Sequence, residues 1–118
     1  MPFDTNRSAA ENGVVLLTLT GTMTMGTQLQ RFEWQIDELI KSGQNRVVVD
    51  MSKITYLDSS AIGVLVGCQG VVRNSGGQFR MAALTDRVAK ILKLAGVDQV
   101  LALDASRDSA IAHLAANA

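Results

Sequence analysis

Residues 47–65 have the sequence VVVDMSKITYLDSSAIGVL, and this stretch is the most informative about the fold. Its three consecutive valines are typical of a strand that is buried on both faces of a parallel sheet. We expect a loop from Asp50 to Leu57 and then a helix that begins at the triplet Asp58-Ser59-Ser60, because Asp and Ser are preferred helix-capping residues. The stretch therefore predicts one strand–loop–helix unit of an α/β fold.

The helix that follows the triplet has an unusual interior. We expect it to extend to about Asn74, and apolar residues leave it without a wide polar face. Gly63, Gly67 and Gly70 recur at helical spacing, although each glycine costs about 1 kcal/mol relative to Ala inside a helix. The pattern predicts that another backbone packs closely against the glycines and that this helix is central.

The residues before the stretch predict two strands and one helix. The Asn12-Gly13 turn separates a polar first segment, expected as a hairpin edge, from a strand at residues 14–19. Residues 21–26 predict a loop, and Thr27 with Gln30 forms a capping-box pattern at the start of a helix. The apolar residues of this helix fall on one stripe, namely Leu29, Phe32, Ile36, Leu39 and Ile40.

The residues after the stretch predict two further strands, each followed by a helix. Alternating apolar residues indicate a strand at residues 79–83, and Thr85 begins an amphipathic helix that ends at Gly96. A last strand near residues 100–103 precedes a helix that Ser106 is expected to cap. The order β-β-α-β-α-β-α-β-α predicts an α/β fold, with a mostly parallel central sheet of about five strands and about four helices packed on it.

Composition limits the classes of partner and compartment. Eleven basic residues balance eleven acidic ones and aromatic residues make up 4% of the chain, which argues against nucleic acid as a partner. The single cysteine, Cys68, excludes an internal disulfide and indicates a reducing compartment. The opening residues lack the apolar core expected of a secretory signal, and no apolar run approaches the roughly 18 residues of a membrane span. We expect one cytoplasmic domain over residues 1–118, with no direct membrane insertion.

Few residues are suited to catalysis. The only histidine, His113, is expected as a solvated residue near the end of the last helix, and no Cys/His set has metal-ligand spacing. Neither a Gly-rich phosphate loop nor the Gly-x-Ser-x-Gly pattern of a nucleophile elbow occurs, since Ser59 and Ser60 follow Asp58 instead. We therefore expect no catalytic residue, no metal and no cofactor, and a protein that is not an enzyme.

The quoted stretch resembles the signature of the STAS domain, a family that includes anti-sigma factor antagonists and cytoplasmic domains of sulfate transporters. The most specific piece is the Asp-Ser-Ser-x-x-Gly pattern at residues 58–63, which follows the valine-rich strand. The element order and the loop entry Leu19-Thr20-Gly21 also fit, so the resemblance covers nearly the whole chain. It implies the STAS fold and a regulatory function.

The resemblance implies a bacterial partner switch. The phosphoacceptor would be Ser59, flanked by Asp58 and Ser60. The kinase would be an anti-sigma factor with ATP-dependent serine kinase activity, and a metal-dependent serine phosphatase would remove the phosphate. The unphosphorylated form would bind the anti-sigma factor and thereby release the sigma factor.

The expected partner-binding surface comprises Met23, Thr24 and Met25, in the loop at the same end of the sheet, together with Ala61 and Ile62. The two methionines are equally consistent with adaptable partner contacts and with packing into the core. Trp34 lies off the main apolar stripe and is consistent with a partner contact or a partly covered surface position. Two positions depart from the family pattern: Ala61 stands where Gly is usual, and Thr24 stands in a loop where the family often has Asp.

Other functions fit the same sequence. One is a STAS accessory subunit of an ABC-type membrane transporter, which would hold the ATPase through the same helix start. Another is a component of a stress-sensing scaffold, and a third is a small-ligand carrier that uses the crevice at the sheet edge. If the protein were such a transporter subunit, Ser59 would be only a helix cap.

Overall fold

The computed structural model describes residues 3–116, which form a sheet with helices on both faces. The strands lie in chain order across the sheet, and they are β1 (Asp4–Ala9), β2 (Val15–Met23), β3 (Arg46–Leu57), β4 (Gln78–Ala82) and β5 (Leu103–Asp104). The α-helices are α1 (Thr27–Lys41), α2 (Ser59–Asn74), α3 (Asp86–Leu94) and α4 (Arg107–Ala116). Strands β1 and β2 are antiparallel and the other neighbours are parallel. The predicted α/β class, element order and mostly parallel sheet are confirmed.

The hairpin between β1 and β2 turns at the predicted dipeptide. Asn12 and Gly13 have φ angles of 55° and 76°, and they lie in a 3₁₀ turn at Glu11–Gly13. This left-handed conformation favours Gly and tolerates Asn, because Asn can bond its own backbone locally. The turn therefore pairs β1 with β2 at one edge of the sheet, as the sequence predicts.

The two faces of the sheet carry helix layers of unequal size. Alternation along β2 directs Leu17 and Leu19 to the main core, which α1, α2 and α3 cover. Leu16 points to the opposite face, where α4 packs through Ala110 and Leu114. Within residues 3–116, α4 is the helix that covers the second face, and α2, which begins at the predicted site, lies with α1 and α3 on the other face.

Strand β3 is longer than predicted, because residues 51–57 continue the strand instead of forming a loop. Met51, Ile54 and Leu57 are all buried although they are three residues apart, which is not the alternation of a regular strand. The pairing with β2 contains two register shifts in this region, each leaving one additional residue in β3. An extra residue at each bulge turns the next apolar side chain inward, which explains the spacing.

Three boundaries near the strands and helices also differ from the predictions. Residues 21–23 extend β2, and Gly26 instead of Thr27 is the N-cap of α1, with no capping side-chain hydrogen bond. The last strand is displaced from the predicted residues 100–103, because Val100 is exposed in a turn closed by a hydrogen bond to Val97. Only Leu103 and Asp104 form β5.

Helix α2 has one buried face and one open face. Leu65, Cys68 and Val72 are buried against the sheet, whereas Gly63 and Gly67 are exposed. A Cβ atom added at Gly63, Gly67 or Gly70 would meet no heavy atom within 4 Å. The prediction that another backbone packs against these glycines is therefore wrong within residues 3–116.

Candidate functional site

The predicted site lies where β2 and β3 end. Met23 and Leu57 are paired in the sheet, and the amide N–H of Asp58 donates to the Met23 carbonyl at 3.0 Å. Helix α2 begins one residue later, at Ser59. The start of α2 is thus fixed beside the loop of residues 24–26, at the sheet edge where parallel α/β proteins present ligand and partner sites.

The Asp58 side chain caps α2 and also holds the neighbouring loop. Its Oδ1 accepts a hydrogen bond from the Ala61 amide at 2.9 Å, and its Oδ2 accepts one from the Met25 amide at 3.0 Å. These two bonds, in that order, lower the pKa of Asp58, against the opposing effect of its partial burial. The carboxylate therefore remains ionised at neutral pH and connects two chain segments.

Ser59 and Ser60 occupy the first turn of α2. The Ser59 side chain is exposed and that of Ser60 is half-buried. Within residues 3–116, neither hydroxyl has a hydrogen-bond partner, so neither is committed to capping. An anion on Ser59 would lie at the positive end of the α2 dipole, where backbone N–H groups favour negative charge.

The predicted partner-binding residues separate into two groups. Thr24 and Met25 are exposed, Met25 to 77%, and Ile62 is half-buried. Met23 and Ala61 are fully buried in the main core, because Met23 is on the inner face of β2 and Ala61 is on the inner face of α2. The Met23 and Ala61 side chains therefore do not contribute to the exposed surface at this edge.

The sequence did not predict one cation–π pair at this edge of the sheet. The Arg87 guanidinium carbon lies 5.2 Å from the centre of the Tyr56 ring, a cation–π contact between the first turn of α3 and the end of β3. Thr85 caps α3 and also donates to the Ile54 carbonyl at 3.3 Å, which ties α3 to β3. Thr85 as a helix start indicated where α3 begins, but nothing in the sequence indicated which strand residue Arg87 would meet.

Comparison with known proteins gives a consistent result. The STAS domain family model matches residues 7–110. The anti-sigma F factor antagonist of Paenibacillus polymyxa is 23% identical over 103 residues, which are 86% of this chain and 87% of that protein. A Thermotoga maritima protein, provisionally named an anti-sigma factor antagonist, is 28% identical over 69 residues. Those residues are 58% of this chain and 61% of that relative, less than two thirds of its length.

A solved structure supports the fold independently. The Bacillus cell fate determinant SpoIIAA, in its phosphorylated form, superposes with a TM-score of 0.73 over 93% of this chain and 98% of that one. Its sequence identity of 16% makes this a likeness of fold alone. None of the helices within residues 3–116 combines the length and the apolar character that crossing a membrane requires. The family model spans most of the chain, and the chain belongs to the STAS domain family.

Proposed function

We propose that this protein is an anti-sigma factor antagonist whose binding is switched by phosphorylation of Ser59. In this proposal the unphosphorylated form binds an anti-sigma factor that is also a serine kinase, and so releases a sigma factor. A serine phosphatase restores the unphosphorylated form. The protein acts by binding and not as an enzyme, and it meets these partners in the cytoplasm.

The observation that carries the proposal is the uncommitted hydroxyl of Ser59. Ser59 is exposed at the first position of α2, while the capping function is already performed by Asp58. A kinase therefore finds an accessible hydroxyl whose modification breaks no hydrogen bond with residues 3–116. The names of the relatives, which are antagonists of anti-sigma factors, supply the class of partner.

Charge is the physical basis of the proposed switch. Phosphoserine carries about −1.5 to −2 charges, whereas the hydroxyl is neutral. The helix terminus tolerates that charge within the protein, so the fold is expected to survive. A partner surface packed on Ser59, Thr24 and Met25 would meet the charge directly, and each 1.4 kcal/mol of lost interaction weakens binding about tenfold.

The departure from the family pattern at Ala61 is compatible with this proposal. The Ala61 side chain is fully buried, so its additional methyl group is directed into the core. Its amide, which any residue other than Pro supplies, is the group that Asp58 caps. Replacing the family's usual Gly therefore leaves the exposed surface around Ser59 unchanged.

A pull-down from lysate of the source cells tests the proposal, with wild type, Ser59→Ala, Ser59→Glu and the matched control Ser60→Ala as baits. We expect the wild-type, Ser59→Ala and Ser60→Ala baits to retain a serine kinase-type anti-sigma factor and the Ser59→Glu bait to lose it. Incubation of the recovered kinase with ATP should phosphorylate wild type and Ser60→Ala at Ser59, as mapped by mass spectrometry. Recovery of a transporter ATPase regardless of the residue at 59 would contradict the proposal.

A further inference from the structure

A groove between α1 and α2 is open to solvent at a distance from the predicted site. Its volume is about 260 Å³, with Trp34 and Val71 as walls, Gly67 and Cys68 as floor, and Glu33 and Asp37 along the α1 side. Gly67 is eight residues after Ser59 in α2. At 1.5 Å per residue, this places the floor about 12 Å along the helix from Ser59.

The walls of the α1/α2 groove are two of the exposed large apolar side chains of this protein. Trp34 is 57% exposed and Val71 is 46% exposed, and they come from different helices to face one cavity. Scattered single apolar residues on a surface are ordinary, but two that converge on a concave site mark a contact region. Large aromatic side chains such as Trp are also enriched among the residues that contribute most to protein–protein binding.

The floor permits close approach of another backbone. A Cβ atom at Gly67 would meet no heavy atom within 4 Å, so packing within residues 3–116 does not require glycine there. A glycine inside a helix costs about 1 kcal/mol relative to Ala. Together with the exposed walls, the absence of a side chain at Gly67 leaves room for a helix of another molecule.

The negative charges of Glu33 and Asp37 indicate the charge of the helix that would bind in the groove. Within residues 3–116, neither Glu33 nor Asp37 forms an ion pair. Burial, followed by the negative charges of Glu33 and Asp37, raises the pKa of Cys68 to about 12. The thiol is therefore protonated at neutral pH and is a packing group rather than a nucleophile. A complementary occupant carries positive charge beside its apolar stripe.

We propose that the α1/α2 groove is a docking site for an amphipathic helix of a partner protein, whose apolar stripe is flanked by Lys or Arg. Docking of this type seats apolar side chains at helical spacing in a hydrophobic groove. A second copy of this chain is disfavoured as the occupant, because a two-fold contact would bring both copies of Glu33 and Asp37 together. The groove is lined by residues other than those of the predicted site at Ser59.

Trp34 is the only tryptophan in the chain, so its fluorescence reports on the groove directly. The probes are two synthetic helical peptides of about 16 residues, about 24 Å long, with the same leucine stripe flanked by either Lys or Glu. We expect saturable binding of the Lys peptide with a blue shift of Trp34 emission, and binding of the Glu peptide weaker by about tenfold or more. Added salt should weaken the Lys peptide's binding.

Variants assign the binding to the groove. Gly67→Leu places a side chain on the floor, where its Cβ atom has open space, and is expected to abolish binding. The double variant Glu33→Lys, Asp37→Lys is expected to reverse the preference between the peptides. Leu94→Ala, which removes an exposed apolar side chain on α3, serves as the control and should leave binding unchanged. Thermal melts by circular dichroism verify that each variant is folded.

Three results would overturn the proposal. The first is equal binding of the two peptides, which would show that charge does not select the occupant. The second is a blue shift that depends on protein concentration alone, with a dimer in sedimentation, which would assign the groove to a second copy. The third is the absence of saturable binding by the Lys peptide.

Discussion

The Asp58 carboxylate and the Met25 amide are joined by a hydrogen bond of 3.0 Å, which ties the cap of α2 to the loop that precedes α1. The other oxygen of the same carboxylate caps the helix through Ala61. One side chain therefore sets where the exposed Met25 lies relative to Ser59. The loop and the helix start form one surface because they share this acceptor.

Replacing Asp58 by Ala is expected to destabilise the protein and release the loop. Loss of a helix cap costs about 0.5–2 kcal/mol, and the Met25 amide also loses its acceptor. Urea denaturation should show a lower free energy of unfolding, and amide hydrogen exchange should accelerate at Met25 and Ala61. Asp58→Asn is the matched control, because Asn retains one acceptor oxygen and should have an intermediate effect. An Asp58→Ala variant as stable as wild type would contradict the capping role.

Ser59→Glu is expected to leave the free energy of unfolding within about 0.5 kcal/mol of wild type or to raise it slightly. The new charge is exposed at the positive end of α2, where such charges contribute about 0.3–1 kcal/mol. Asn74→Glu places the same charge at the opposite end of the helix and should be destabilising by a similar amount. Urea denaturation at low salt compares the two. Unfolding of Ser59→Glu would show that a charge there acts on the fold and not on the binding surface.

The sequence predicted where the site begins, at Asp58, better than it predicted which side chains around the site are exposed. Asp58 is a preferred capping residue followed by a helical pattern, so local chemistry alone located the start of α2. Whether Met23 or Met25 faces outward depends on the last residues of β2 and on their bulged pairing with β3. Met23 is consequently buried and Met25 exposed, a distinction that composition and spacing do not contain.

The errors in the predicted fold have one cause. Contacts between residues that are distant in sequence override the local sequence patterns. Residues 51–57 have their apolar side chains three residues apart, and only the bulged pairing with β2 makes that spacing compatible with a strand. The glycines of α2 suggested close packing because their intrinsic cost needs an explanation. The tertiary structure places Gly63 and Gly67 at the surface instead.

Gly63→Ala is expected to stabilise the protein by about 1 kcal/mol, because Ala is the better helix former and its methyl group would have open space beyond the backbone of α2 itself. Thermal and urea unfolding of the variant measure the gain. Gly76→Ala is the contrasting control, since Gly76 has a φ of 85° beyond the end of α2 and Ala is strained in that conformation. A loss of stability in Gly63→Ala would mean that the glycine face is covered in the folded protein.

The second face of the sheet provides a pH-dependent prediction. Asp104 in β5 accepts hydrogen bonds from Arg80 and from His113 of α4, the latter at 3.0 Å. Burial raises the pKa of Asp104, but the bonds from Arg80 and His113 outweigh burial, so its pKa is below the usual value. A carboxyl with a lowered pKa binds fewer protons when folded than when unfolded. Its stabilisation is complete above an unfolded pKa of about 3.9 and is lost as the pH falls through the folded value.

Asp104→Asn is therefore expected to lower the free energy of unfolding at pH 7 by roughly 1–3 kcal/mol, since a buried charge-assisted bond is lost. Below about pH 4 the difference from wild type should shrink, because the wild-type carboxyl takes up a proton first in the unfolded state and then, at its lower pKa, in the folded state. Urea denaturation between about pH 2 and 7 measures both effects. Glu11→Gln, which neutralises an exposed carboxylate in the 3₁₀ turn, is the control and should follow the wild-type profile. A difference between wild type and Asp104→Asn that is constant across this range would place the effect in packing rather than in the charge of Asp104.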